Sequence, residues 1–150
     1  MHKSNDPAFC YSVREILADE LSADVFERIS SLIDRLDSRA ALYDVSPGPM
    51  KSCSIYIPAH GGPLALFSIY RSGGTRHLSV NLHTLDSRGQ VTRQQVERFV
   101  EPLRQLPELI PEDAGDEIYG LDPHAPVEIV FSEWSAVDRI IDAADQIRSA

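Results

Sequence analysis

Only two cysteines, two lysines and one tryptophan occur in the 150 residues, and no apolar run approaches the length needed to cross a bilayer. Cys10 falls in an apparent helix and Cys53 in an apparent strand, both among apolar neighbours. They are expected to be free thiols acting as small hydrophobes rather than a disulfide pair. The polar start Met-His-Lys-Ser-Asn-Asp-Pro leads into no long hydrophobic segment, which predicts neither signal peptide nor membrane span and a cytoplasmic location. Also missing are a Gly-x-Ser-x-Gly nucleophile elbow, a Gly-Lys-Ser/Thr phosphate loop and an Asp-x-Asp-x-Asp-Gly calcium loop. Their absence removes the common hydrolase, nucleotide and calcium readings, and no cofactor is expected.

One further absence is local. From Glu108 to Asp122 there are six acids, Glu108, Glu112, Asp113, Asp116, Glu117 and Asp122, and no base. The net charge of −9 is segregated along the chain: residues 1–44 carry −4, residues 45–106 carry +4, and residues 107–150 carry −9. A field of one sign repels nucleic acid and steers a basic protein toward it. Glu108, Glu112, Asp113, Asp116, Glu117 and Asp122 are therefore the candidate partner-binding residues, with Tyr119 as an aromatic anchor in their midst.

What is present is an ordinary globular composition, 43% hydrophobic and 25% charged, of a size that suits one domain spanning 1–150. Asp6-Pro7 opens a first helix carrying Phe9, Val13, Ile16, Leu17 and Leu21 at helical spacing. Ser22 caps a second, with Val25, Ile29, Leu32, Ile33, Leu36 and Ala40 on one stripe. The period then changes to two. Ser52 to Ile57, Leu64 to Arg71 and Arg76 to Thr84 read as strands, and the short links between them imply an antiparallel meander.

Thr92 and Gln95 form a capping box for a helix that buries Val96, Phe99, Val100, Leu103 and Leu106, with Pro102 placed to kink it. Glu117 to Leu121 and Val127 to Phe131 are expected to pair as a hairpin, the second being the firmer strand. Ser132 then caps a last helix with Trp134, Val137, Ile140, Ile141, Ala144 and Ile147 facing inward. The fold class is α+β: two N-terminal helices, a three-stranded antiparallel meander, a helix, one or two further strands and a C-terminal helix.

Pairing across Gly73-Gly74 sets Tyr70 opposite His77, Ser68 opposite Ser79, Leu66 opposite Asn81 and Leu64 opposite His83. One face then holds Cys53, Ile55, Ile57, Ala65, Phe67, Ile69, Leu78, Val80 and Leu82 and must lie on helices. The other offers Tyr56, Tyr70, His77, Asn81 and His83 as an alternative recognition surface. His77 and His83, six residues apart on one strand, would stand roughly 20 Å apart and cannot share a metal. A small enzyme would use His60 and His83, one as a general base, with Asn81 or Tyr56 orienting a substrate. No metal site is expected, and His60-Gly61-Gly62 reads as a flexible connection.

The order of a helix, three strands, a helix and a strand resembles the core of restriction-endonuclease-like nucleases. That family places carboxylates and a lysine on its second and third strands, and here neither strand contains any, so metal-dependent phosphodiester cleavage is not expected. Size, acidity and the order α-β-β-β-α-β-β-α also resemble class I type III secretion chaperones, which implies a homodimer that binds an unfolded effector segment. The long second helix ahead of the first strand departs from that family. Small acidic chains without catalytic motifs are similar as well to bacterial immunity proteins and antitoxins, which implies a surface that covers the basic cleft of a toxin.

Overall fold

The computed structural model describes residues 17, 18, 20–38, 53–57 and 62–148. The expected first helix, Cys10, Ala40 and His60 lie outside the described residues, apart from the last turn of that helix around Leu17 and Glu20, and so does the Cys53 side chain. The chain is α+β, with an N-terminal helix, an antiparallel sheet, further helices and a C-terminal helix.

Helix α1 spans Ala23–Ser38 and buries Val25, Ile29, Leu32, Ile33 and Leu36, the stripe its 3.6-residue period dictates. The Ser22 hydroxyl accepts from the Val25 N–H at 3.4 Å, and the Glu128 carboxylate accepts from the Ser22 N–H at 3.2 Å. An anion at this helix end satisfies free donors and complements the helix dipole. At the other side of α1, Arg28 donates to the carbonyls of Phe131 at 2.8 Å and Ser132 at 3.0 Å, and Arg35 pairs with Asp138 at 2.8 Å. These contacts hold α1 to the C-terminal third of the chain.

Strands β1 (Cys53–Ile57), β2 (Leu64–Ser72) and β3 (Thr75–Val80) form the expected meander. Ser68 faces Ser79 and Tyr70 faces His77, as the glycine pair requires. Gly73 at φ 60° and Gly74 at φ 86° supply the two left-handed residues of a tight hairpin. Two details differ. A bulge shifts the β1–β2 register so that Ile57 pairs with Leu64 and Tyr56 with Ala65. Leu64 therefore lies on the apolar side and Ala65 on the Tyr56 side, the reverse of strict alternation, because the extra residue flips each side chain beyond it.

The second difference is where β3 ends. Helix α2, Leu82–Arg88, starts where alternation of Leu78, Val80 and Leu82 suggested continued strand, and Leu82 and Leu85 are buried one helical turn apart. Gly89, at φ 71°, closes it in the left-handed conformation. His83 consequently projects from a helix and is exposed, so it neither belongs to the sheet's polar face nor pairs with Leu64; Leu66 and Asn81 do meet as expected, the Asn81 N–H donating to the Leu66 carbonyl at 3.0 Å where the β2–β3 ladder ends.

Helix α3, Arg93–Leu103, has the reciprocal Thr92–Gln95 capping box and buries Val96, Phe99, Val100 and Leu103. Pro102 sits in its last turn. The Phe99 ring meets Phe67 of β2 at 5.4 Å between centroids, which seats α3 on the apolar sheet face. The expected hairpin is replaced: Asp116–Gly120 is a 3-10 turn, His124–Pro126 is the fourth strand, β4, and Val127–Val130 is a short helix, α4. Val127, Val130 and Phe131 are buried at helical spacing, which explains the failure of the strand reading. Strand β4 pairs antiparallel with β3, giving the order β1-β2-β3-β4.

The last helix, α5, spans Ser135–Arg148 and buries Ala136, Val137, Ile140, Ile141, Ala143, Ala144 and Ile147. An arc this wide serves two partners, and α5 packs against both α1 and α3. Trp134, expected inside, is 45% exposed and lies 5.7 Å from the Arg28 guanidinium.

Candidate functional site

On the polar side of the sheet the side chains largely satisfy one another. The hydroxyls of Ser54 and Ser68 are 3.1 Å apart, Asn81 donates to Ser68 at 3.2 Å, and Ser79 donates to the Asn81 carbonyl oxygen at 3.1 Å. Asn81 is thus committed to a hydrogen-bond chain between the end of β3 and β2, and Tyr56 is half-buried on β1. Beside them Tyr70, His77 and His124 cluster, with Tyr70 5.8 Å from His77 and 6.1 Å from His124 between ring centroids. The Nδ1 atoms of His77 and His124 are 3.2 Å apart, so one must donate and the other accept. Burial and the nearby Asp122 charge raise the Tyr70 pKa, which keeps the phenol protonated. The histidine that meets His77 is therefore His124, from residues read as a turn, while His83 lies elsewhere.

Two arginines of the α3 region contact the acidic segment. Arg93 pairs with Asp86 through Nε–Oδ1 at 2.7 Å and Nη2–Oδ2 at 3.0 Å, and its guanidinium lies 4.3 Å from the Tyr119 ring centroid. Arg104 donates to the Ala114 carbonyl at 3.0 Å. Ile118 and Tyr119 are buried, at 4% and 5% exposure. Tyr119 is thereby a packing residue under Arg93, not the exposed anchor expected from the sequence. Burial raises its pKa, although hydrogen bonding to Arg104 acts in the opposite sense.

All six acids remain exposed. Two of them also organise backbone. The Glu117 carboxylate accepts from the Gly115 N–H at 3.0 Å, and the Asp122 carboxylate accepts from the His83 N–H at 3.1 Å in the first turn of α2. Backbone hydrogen bonding lowers the Glu117 pKa, and bonding to Arg93 lowers that of Asp86. The stabilisation that both carboxylates give is present above the ordinary carboxylate range and is lost as the pH falls through their depressed values. Side-chain carbonyl NMR titration should place both midpoints below the usual range, and Arg93→Gln should return Asp86 toward it. An Asp86 midpoint that ignores Arg93→Gln contradicts this pairing.

Three acids converge on an open groove of about 530 Å³. Leu109, Pro111, Ala114, Ile118, Leu121 and Pro123 line it, Glu108, Glu117 and Asp122 supply its carboxylates, and His124 stands at its margin. Leu121 is 57% exposed, in a run otherwise rich in charge. The sequence carried this signal, because Leu109, Ile118 and Leu121 are interleaved with the acids, but spacing alone does not say which of them point inward. Glu112, Asp113 and Asp116 extend the negative surface without lining the groove.

Among the described residues, no group of three or more His, Cys, Asp or Glu side chains is arranged to hold a metal ion, and no helix is long and apolar enough to cross a membrane. No family model, curated protein or solved structure matches the chain. The functional reading therefore rests on the acidic segment and its groove.

Proposed function

We propose that this chain is a protein-binding module whose acidic surface, from Glu108 to Asp122, covers a basic site on a partner, in the manner of an immunity protein or antitoxin. The observation that supports the reading is the display of six exposed carboxylates on a segment whose Ile118 and Tyr119 are locked into the core. A preformed charged surface steers encounter and needs little ordering when it binds. The polar sheet face is less suited to this task, since Ser54, Ser68, Ser79 and Asn81 already bond to each other.

The test uses a basic partner recovered by chemical cross-linking and identified by mass spectrometry. Glu108→Lys, Glu112→Lys and Asp113→Lys together should slow its association about tenfold or more at low salt, with little change in folding. The difference should shrink toward 1 M salt, where the Debye length is about 3 Å. An association rate that ignores this triple reversal yet collapses on Tyr70→Ala or His77→Ala moves the site to the sheet face.

A further inference from the structure

Building on the acidic-surface reading, we infer that the groove beside the 3-10 turn receives a short partner segment in which large apolar side chains are flanked by arginine or lysine. The groove's volume of about 530 Å³ falls within the roughly 300–1,000 Å³ of ordinary ligand sites. Its floor and walls are apolar, whereas Glu108, Glu117 and Asp122 bring charge of one sign to it. An acidic segment is repelled, a neutral one covers these carboxylates without bringing them a cation, and a cationic segment lacking apolar groups leaves Leu121 in water. Only a segment with both features meets both demands.

The groove is also built before anything binds. The Ile118 N–H bonds to the Gly115 carbonyl at 3.4 Å, and the Leu121 N–H to the Ile118 carbonyl at 3.1 Å. Pro111 and Pro123 fix the backbone on either side. The Gly115 N–H holds the Glu117 carboxylate in place at 3.0 Å. Leu121, 57% exposed, is a large apolar side chain of the groove left mostly in water.

Fluorescein-labelled peptides GRRLFRRG, GRRSSRRG, GSSLFSSG and GEELFEEG, titrated against the full chain by fluorescence anisotropy at low salt, test the inference. GRRLFRRG should bind about tenfold or more tightly than each of the others. Leu121→Ser should weaken it roughly tenfold without moving the thermal midpoint, because the leucine is already mostly in water. Glu108→Gln should weaken it several-fold while leaving GSSLFSSG unchanged. Equal binding of GRRLFRRG and GRRSSRRG, unaffected by Leu121→Ser, overturns the groove and leaves the acidic surface standing. Equal binding of GRRLFRRG and GSSLFSSG overturns the role of the rim charges. If neither cationic peptide binds, both the groove and the surface reading fall.

Discussion

Phe67→Ala should destabilise the protein by about 3–5 kcal/mol, the largest effect expected of any single truncation on the sheet. Phe67 is fully buried on β2, its ring lies 5.4 Å from Phe99 of α3, and Ile55 and Val80 are its cross-strand partners. Truncation opens a cavity where the sheet meets the helices, and neighbouring strands held by backbone hydrogen bonds cannot collapse to fill it. For a chain of this length such a loss lowers the thermal midpoint by about 10 °C. Tyr70→Ala, three residues on and on the opposite face, should cost much less, since Tyr70 is only half-buried. Denaturant unfolding of the two variants separates the faces. Equal losses would mean that the assignment of the sheet's two sides is wrong.

Glu20→Ala should cost about 3 kcal/mol although it removes a side chain near the surface. Arg71 and Arg76 are direct cross-strand neighbours at the end of the β2–β3 hairpin, an arrangement that repels. Arg76 is buried. The Glu20 carboxylate answers both charges: it accepts from Arg76 Nε and, at 3.2 Å, from Nη2, and it lies 3.6 Å from Arg71 Nη1. Its removal leaves a buried guanidinium without this carboxylate, a cost that exceeds what an intact ion pair contributes. Asp24→Ala, exposed on α1, should change stability by less than about 0.5 kcal/mol and serves as the control. The double change Glu20→Ala with Arg76→Met should recover a large part of the loss. Comparable unfolding midpoints for Glu20→Ala and Asp24→Ala would show that the hairpin does not depend on this carboxylate.

What could be read in the chain was local and periodic. The Thr92–Gln95 box, the glycine pair that sets Tyr70 against His77, and the apolar stripes of α1, α3 and α5 all follow from spacing between near neighbours. The misreadings share a different cause. Leu78, Val80 and Leu82 alternate like a strand, yet Leu82 is buried by a helix whose start is capped by Asp122 from a distant part of the chain. Val127 to Phe131 is apolar and short, a length at which strand and helix periods cannot be told apart. The β1–β2 bulge leaves no local mark and reverses Leu64 and Ala65.

The candidate site shows the same division. Its charges were plain in the composition, whereas its shape was not. Tyr119 looked like an anchor because aromatic residues favour interfaces, but Arg93, twenty-six positions earlier, covers it. Leu121 looked like part of a strand and is instead the exposed apolar side chain of the groove. His124 was assigned to a turn and is brought to His77 by β4. The Tyr119 and His124 outcomes depend on contacts between residues far apart in sequence, which no window of neighbours contains, whereas the groove at Leu121 is lined by residues 108–124 alone and turns on which of them point inward.

The acidic surface as binding face is tested most directly by backbone amide NMR of the chain, free and in complex with its basic partner. The largest shifts should fall on residues 108–122, centred on Leu121 and Glu117, with Ser54, Ser68, Tyr70, His77 and Asn81 little changed. Shifts concentrated on those sheet residues, with 108–122 unmoved, would contradict the account.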